Sequence, residues 1–196
     1  MTDDKAPNDR KKTERKPPKK ATASHLGNVA LWYLQRFAAS SDSLRRVLMR
    51  RVEKSARAHD TDREEGAAFV EDIIARFLRS GLLDDRVYAE GRALSLHRRG
   101  ASTRGIRARL AAKGVGAEDI DAALAGLRDE MDDPDLAAAI AYARRRRIGP
   151  YRTRGDRDDL KERDLAALAR QGFGYEIARR VIEARDVDEL EAEAHR

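Results

Sequence analysis

Apolar residues recur at three- and four-residue intervals along most of the chain, which is the spacing that lines one face of an α-helix. Leu26, Val29, Ala30, Tyr33, Leu34 and Phe37 predict a first helix. The cluster Ser40, Ser41, Asp42, Ser43 breaks it and offers N-caps to a second, in which Leu44 and Leu48 share a face. A third carries Phe69, Ile73 and Phe77 with Val70, Ile74 and Leu78 beside them, and closes at Gly81. From Asp84 the pattern starts again. Val87, Tyr88, Gly91, Leu94 and Ser95 lie along one side of a helix ending at Gly100. Ser102 caps a short helix with Ile106 and Leu110 inward, stopped at Gly114, and Ile120, Leu124 and Leu127 mark the next. A further round opens with Asp133 as N-cap and Pro134 at the first helical position. It runs through Leu136 and Ile140, then Leu165 and Leu168 up to Gly172, then Ala178, Val181 and Ile182.

The middle helices of the three rounds read SLRRVLMRRV, GIRARLAAKGV and DLAALARQGF, and the last two end in a glycine followed by an apolar residue. This is an internal repeat of roughly 50 residues. It predicts an all-α, elongated tandem array of three three-helix, helix-turn-helix-like units, spanning 25–83, 84–130 and 131–187. Residues 1–24 are Lys-, Arg- and Pro-rich with almost no large apolar side chain, and are expected to be a disordered basic tail. The acidic ending, 188–196, is expected to fray. In the first unit, the polar stretch VEKSARAHDTDREEG from Val52 to Gly66 is expected to lengthen the connection between second and third helices.

Composition fits small helical units better than one large core: 39% of residues are charged and 5% aromatic. The formal charge of +6 inclines the chain toward polyanions or acidic protein surfaces, though both signs are abundant. With no cysteine, disulfides, thiolate metal sites and cysteine nucleophiles are excluded. No apolar run approaches the roughly 20 residues that cross a bilayer, and no signal-peptide stretch opens the sequence, so a cytoplasmic protein is expected.

Candidate chemistry is sparse. Asp84 and Asp85, in the run SGLLDDRVYAEGRALSLHRRGAS, could serve acid/base or metal chemistry only with further partners. As N-cap and first-turn carboxylate they have a sufficient role at a helix start, and the same holds for Asp132 and Asp133. His25, His59, His97 and His195 are isolated, with no metal-binding spacing, and His97 beside Arg98 and Arg99 is expected to be solvated or to face a partner. Phosphate loops, dinucleotide fingerprints and nucleophile elbows are absent, so no catalytic, cofactor or metal residue is assigned and a non-enzymatic role is expected.

What remains is basic charge. Arg98, Arg99, Arg104, Arg107, Arg109 and Lys113 cluster around the fifth helix; Arg144, Arg145, Arg146 and Arg147 end the seventh; Arg152, Arg154 and Arg157 follow in a loop. Arginines complement a helix C-terminus, but four in succession point around most of the helix, leaving some for phosphate or acidic protein. Helix-turn-helix units raise the alternative of a protein that acts on DNA alone. The start of the third helix would meet the bases, and there stand Asp60, Asp62, Glu64 and Glu65 in one unit and Glu118, Asp119 and Asp121 in the next, which phosphate repels. The third unit, with Arg179 and Arg180 beside Tyr175, is permissive.

GLLDDRVYAE at Gly81 to Glu90, HRRGASTRGIRARLAAKGV at His97 to Val115 and, more weakly, RQGFGYEIARRVI at Arg170 to Ile182 resemble the RecX family of recombination regulators. The resemblance implies three tandem three-helix units over about 26–187. It also implies a non-enzymatic partner of the RecA filament, protein plus single-stranded DNA, that lies in its groove and suppresses its ATPase, strand-exchange and coprotease activities. On that basis Arg98, Arg99, Arg104, Arg107, Arg109, Lys113 and Arg144 to Arg147 are expected to contact the partner, with weak DNA phosphate contacts possible and the chain acting as a monomer. The chain departs from the family where Leu94 and Leu96 stand in place of basic residues on the fourth helix.

Overall fold

The computed structural model describes residues 17–194, and within them the regular elements are helices. Helices α1 (Ala23–Leu34), α2 (Ser41–His59) and α3 (Arg63–Arg79) enclose a first core of Leu26, Leu44, Leu48, Val52, Val70, Ile74 and Phe77. A second core of Ala89, Ala93, Leu96, Ile106, Leu110, Leu124 and Leu127 lies among α4 (Asp85–Arg98), α5 (Thr103–Ala111) and α6 (Ala117–Glu130). Leu136, Tyr142, Leu168, Phe173, Val181 and Ile182 form a third, among α7 (Pro134–Arg146), α8 (Lys161–Arg170) and α9 (Tyr175–Glu183). Among the described residues the one extensive helix pairing that leaves a unit is α4 on α7. Each unit therefore carries its own core, and the array is a line of small cores rather than a globule.

The caps form where serine and aspartate are placed. Ser40 Oγ accepts the Ser43 N–H (3.2 Å), Ser102 Oγ that of Gly105 (3.0 Å), Asp84 Oδ1 that of Val87 (2.9 Å) and Asp133 Oδ1 that of Leu136 (2.9 Å), with Pro134 opening α7. Each satisfies an amide that the helix leaves without an internal partner, which stabilises by about 1 kcal/mol. Leu44 and Leu48, fully buried, hold α2 in the first core, and truncating either to alanine costs about 3 kcal/mol.

Four expectations change. The stretch Val52 to Gly66 is not a long connection: α2 runs 19 residues and α3 17, turning at Asp60, whose φ of 51° is left-handed. Gly66 makes this possible, because a Cβ there would stand 2.6 Å from Val52 Cγ1. The ordered chain also starts before Ser24. Ala21 N–H donates to Ser55 Oγ (2.9 Å), and the Pro18 carbonyl lies 2.5 Å from His59 Nε2, so both dock on α2, while residues 1–16 lie outside the described residues. The acidic ending does not fray at once but forms α10 (Val187–Glu193), capped by Asp186 and held by buried Leu190. Finally, α4 turns Ala89, Ala93, Leu96 and His97 to its core and leaves Val87 62% exposed, with Gly91 also outward. Similarly, α1 ends at Leu34, and Phe37 beyond it is 51% exposed against the Tyr33 ring.

Candidate partner-binding surface

The positions of the basic groups are fixed by how the units are joined. Between the first two units, the backbone N–H and hydroxyl of Ser41 both donate to the Asp85 carboxylate (2.7 and 2.5 Å), and the Ser40 hydroxyl donates to the Lys113 carbonyl (2.5 Å). Between the second and third the arrangement recurs. Thr103 N–H and hydroxyl donate to Asp135 (2.7 and 2.9 Å), and the Ser102 hydroxyl to the Gln171 carbonyl (2.7 Å). Each carboxylate at the start of one unit thus takes an unpartnered amide at the start of the second helix of the unit before it, in hydrogen bonds strengthened by its charge. Asp84 is the N-cap that the pattern predicts. Asp85, expected to serve only its own helix, is instead a clasp between units, and Asp135 is its counterpart.

The second junction has more. His97, 5% exposed, sets Nε2 2.7 Å from the Pro134 carbonyl, so it joins α4 to α7 and neither faces solvent nor meets a partner. Gly100, with φ of 74°, lies against α7, where a Cβ would stand 2.6 Å from Tyr142 N and 2.8 Å from the Ala138 carbonyl oxygen. Only glycine allows this approach at this backbone angle.

Around this frame Arg98, Arg99, Arg104, Arg109, Lys113, Arg146 and Arg147 are solvent-exposed. Buried Ile106 and Leu110 fix the inner face of α5, and at 100° per residue Arg107 and Arg109 flank it on opposite sides while Arg104 lies on the outer half, toward Gly172. The basic groups of α5 therefore fan over its solvent half and do not converge on one point. Arg107 is paired with Asp121. Arg104 lies beside Gly172, which brings the start of α5 against the end of α8.

In the third unit several arginines are engaged. Arg144 pairs with Glu191 of α10 over the Tyr151 ring, and Arg145 sits 5.7 Å over Tyr142. The Tyr151 hydroxyl donates to Glu191 Oε1 (2.8 Å), and burial followed by that carboxylate pushes its pKa up to about 12. Arg152 turns inward onto Asp164, 2% exposed, and Arg157 donates to the carbonyls of Ile182 and Ala184 (2.5 and 2.6 Å). The loop arginines Arg152 and Arg157 thus hold the third unit together and are not offered to a partner. No group of His, Asp or Glu among the described residues is arranged to hold a metal, and no described helix is long and apolar enough to cross a membrane. His195 lies outside the described residues.

Periodicity missed a second surface. Leu31, Phe37, Leu82 and Val87 are all more than 40% exposed and face a cleft between α1 and α4. Phe37 and Val87 were assignable to helix core faces by spacing alone, which concealed them.

Residues 84–124 match the family model described as RecX, second three-helix domain. The chain is 45% identical over 177 residues to the Regulatory protein RecX of Myxococcus xanthus (strain DK1622), covering 89% of this chain and 94% of that protein. Identity to the Regulatory protein RecX of Agrobacterium fabrum (strain C58 / ATCC 33970) is 33% over 165 residues, 84% and 85% of the two chains. The crystal structure of RecX from Lactobacillus salivarius superposes with a TM-score of 0.59 at 19% identity, over 87% of this chain and 97% of that one, and so shares the fold. With its three linked helical cores and a relative of such identity over nearly its full length, this chain belongs to the RecX family of regulatory proteins.

Proposed function

We propose that this chain regulates homologous recombination and DNA repair by binding the RecA nucleoprotein filament and restraining its ATPase, strand-exchange and coprotease activities. The observation that supports this reading is the spread of exposed arginines over linked units. Arg98, Arg99, Arg104 and Arg109 belong to the second unit and Arg146 and Arg147 to the third. Such a spread suits a long, repetitive acidic surface better than a compact ligand. Many weak contacts at high effective concentration then give tight binding without a catalytic step. The chain acts in the cytoplasm, as a monomer and without enzymatic chemistry of its own.

Action on DNA alone is the weaker reading. The first turns of α3 and α6 present Glu64, Glu65, Glu118 and Asp119 where a DNA-reading helix would need neutral or basic groups. The test is charge reversal of Arg104, Arg107 and Lys113 together, followed by RecA ATPase assays on single-stranded DNA. Inhibition should weaken by at least about tenfold, the equivalent of 1.4 kcal/mol. Undiminished inhibition would remove these residues from the contact. Tight binding to bare DNA with a steep salt slope, equal with and without RecA, would favour the alternative.

A further inference from the structure

We propose that the cleft between α1 and α4 is a docking site for a partner-protein segment in which one or two large apolar side chains are flanked by carboxylates. It rests on the reading that the chain acts by binding a protein, and it names a subsite that shares with the basic surface only Lys113.

The cleft has a volume of about 850 Å³. The chain exposes seven large apolar side chains among the described residues, and four of them, Leu31, Phe37, Leu82 and Val87, line this one place. Scattered exposed apolar residues need no explanation, but a contiguous concave group does.

Its origin lies in the repeat. Taking the clasps as the register, Asp85 corresponds to Asp135 and Ser40 to Ser102, which sets Tyr88 against Ala138 and Ala38 against Gly100. At the second junction, glycine on one side and a small alanine on the other bring two backbones together and the equivalent space is closed. At the first, Ala38 and Tyr88 stand at these positions and line a space that stays open. The apolar side chains that would have formed a junction face solvent instead.

The surroundings select the occupant. Arg92 and Lys113 line the cleft. The one carboxylate in the lining is Asp84, already accepting the Val87 N–H. An apolar floor with a basic rim matches apolar anchors between acidic residues. Nucleobases fit less well, because the aromatic rings of the lining, Tyr33, Phe37 and Tyr88, are outnumbered by aliphatic side chains.

The experiment uses the full chain, isotope-labelled for NMR, and a synthetic peptide with a Leu-Phe pair flanked on each side by two glutamates. Saturable shifts confined to Leu31, Leu82 and Val87 are expected. Binding should fall at least tenfold when lysines replace the glutamates, and at least tenfold in Val87→Glu, a substitution that also suits the third position of a helix and so preserves folding. No shift with the acidic peptide overturns the proposal. So does a cleft that responds to oligo-dT instead, or one whose signals move on dilution without peptide, which would assign it to a second copy of the chain. Capture by RecA assembled on single-stranded DNA separates the two levels. If wild type is captured and Val87→Glu equally so, the cleft is not a docking site though the filament reading stands. If wild type is not captured, the filament reading fails and the peptide titration still decides the cleft.

Discussion

The two junctions of this array share their clasps and the close approach of a glycine, Gly114 or Gly172, to the helix before, and differ in how the first helices of the units meet. At both, an aspartate takes the amide and hydroxyl of a Ser or Thr, and a serine hydroxyl meets a carbonyl at the end of a distant helix. At the second junction α4 also lies on α7, Gly100 meets backbone, and His97 adds a buried hydrogen bond. At the first these additions are missing and a cleft opens. The comparison teaches that hydrogen bonds set the register of such an array, whereas side-chain volume at two or three positions decides whether a junction is filled or open to a partner.

The largest effect should come from Gly100→Ala, which forces a methyl into the backbone of α7 at an unfavourable φ and costs about 3 kcal/mol in urea denaturation. Ala38→Gly, at the matching position, should change stability by no more than about 0.5 kcal/mol. If the two behave alike, the junctions are not packed differently.

Next come the clasps. Asp135→Ala and Asp85→Ala should each cost about 2 kcal/mol, seen as faster hydrogen exchange at the amides of Thr103 and Ser41 respectively. Their consequences for shape should diverge. Solution scattering should show a broader distribution of distances for Asp85→Ala, where the remaining ties are the hydrogen bonds of Ser40 and Arg46 to carbonyls at the end of α5, than for Asp135→Ala, where α4 also stays on α7. A smaller loss, about 1 kcal/mol, is expected for His97→Leu from the hydrogen bond to Pro134. Val87→Ser, on the open side, should lie within about 0.5 kcal/mol of wild type by the same denaturation measurement.

Much of the fold could be seen in the sequence because caps and stops are local. As caps, Ser40, Ser102, Asp84, Asp133 and Pro134 act within a turn of where they stand, and the run from Val70 to Phe77 has one buried face. Other features depend on what a distant segment supplies. In α4 apolar residues occur on more than one side, so spacing selected Val87 and Gly91 where the core takes Ala89 and Ala93. His97 looked solvated among arginines because its partner is a carbonyl 37 residues away. α10 has one buried leucine in a run of acids, too weak a pattern to predict, and it is held by Arg144 and Arg180 pairing with Glu191 and Glu193. At the candidate surface, the sequence located the basic groups but could not separate Arg152 and Arg157, turned inward, from Arg98 and Arg104, turned outward. The apolar cleft was hidden because its residues resemble ordinary helix-face positions.

The clasp also distinguishes the third unit from the two before it. Ser40 with Ser41, and Ser102 with Thr103, offer each unit's successor a place to attach. At the start of α8 the corresponding positions are Leu160 and Lys161, and no side chain caps the helix. The third unit thus lacks the hydroxyl pair by which each of the first two grips its successor, and a unit docked there would need a different attachment.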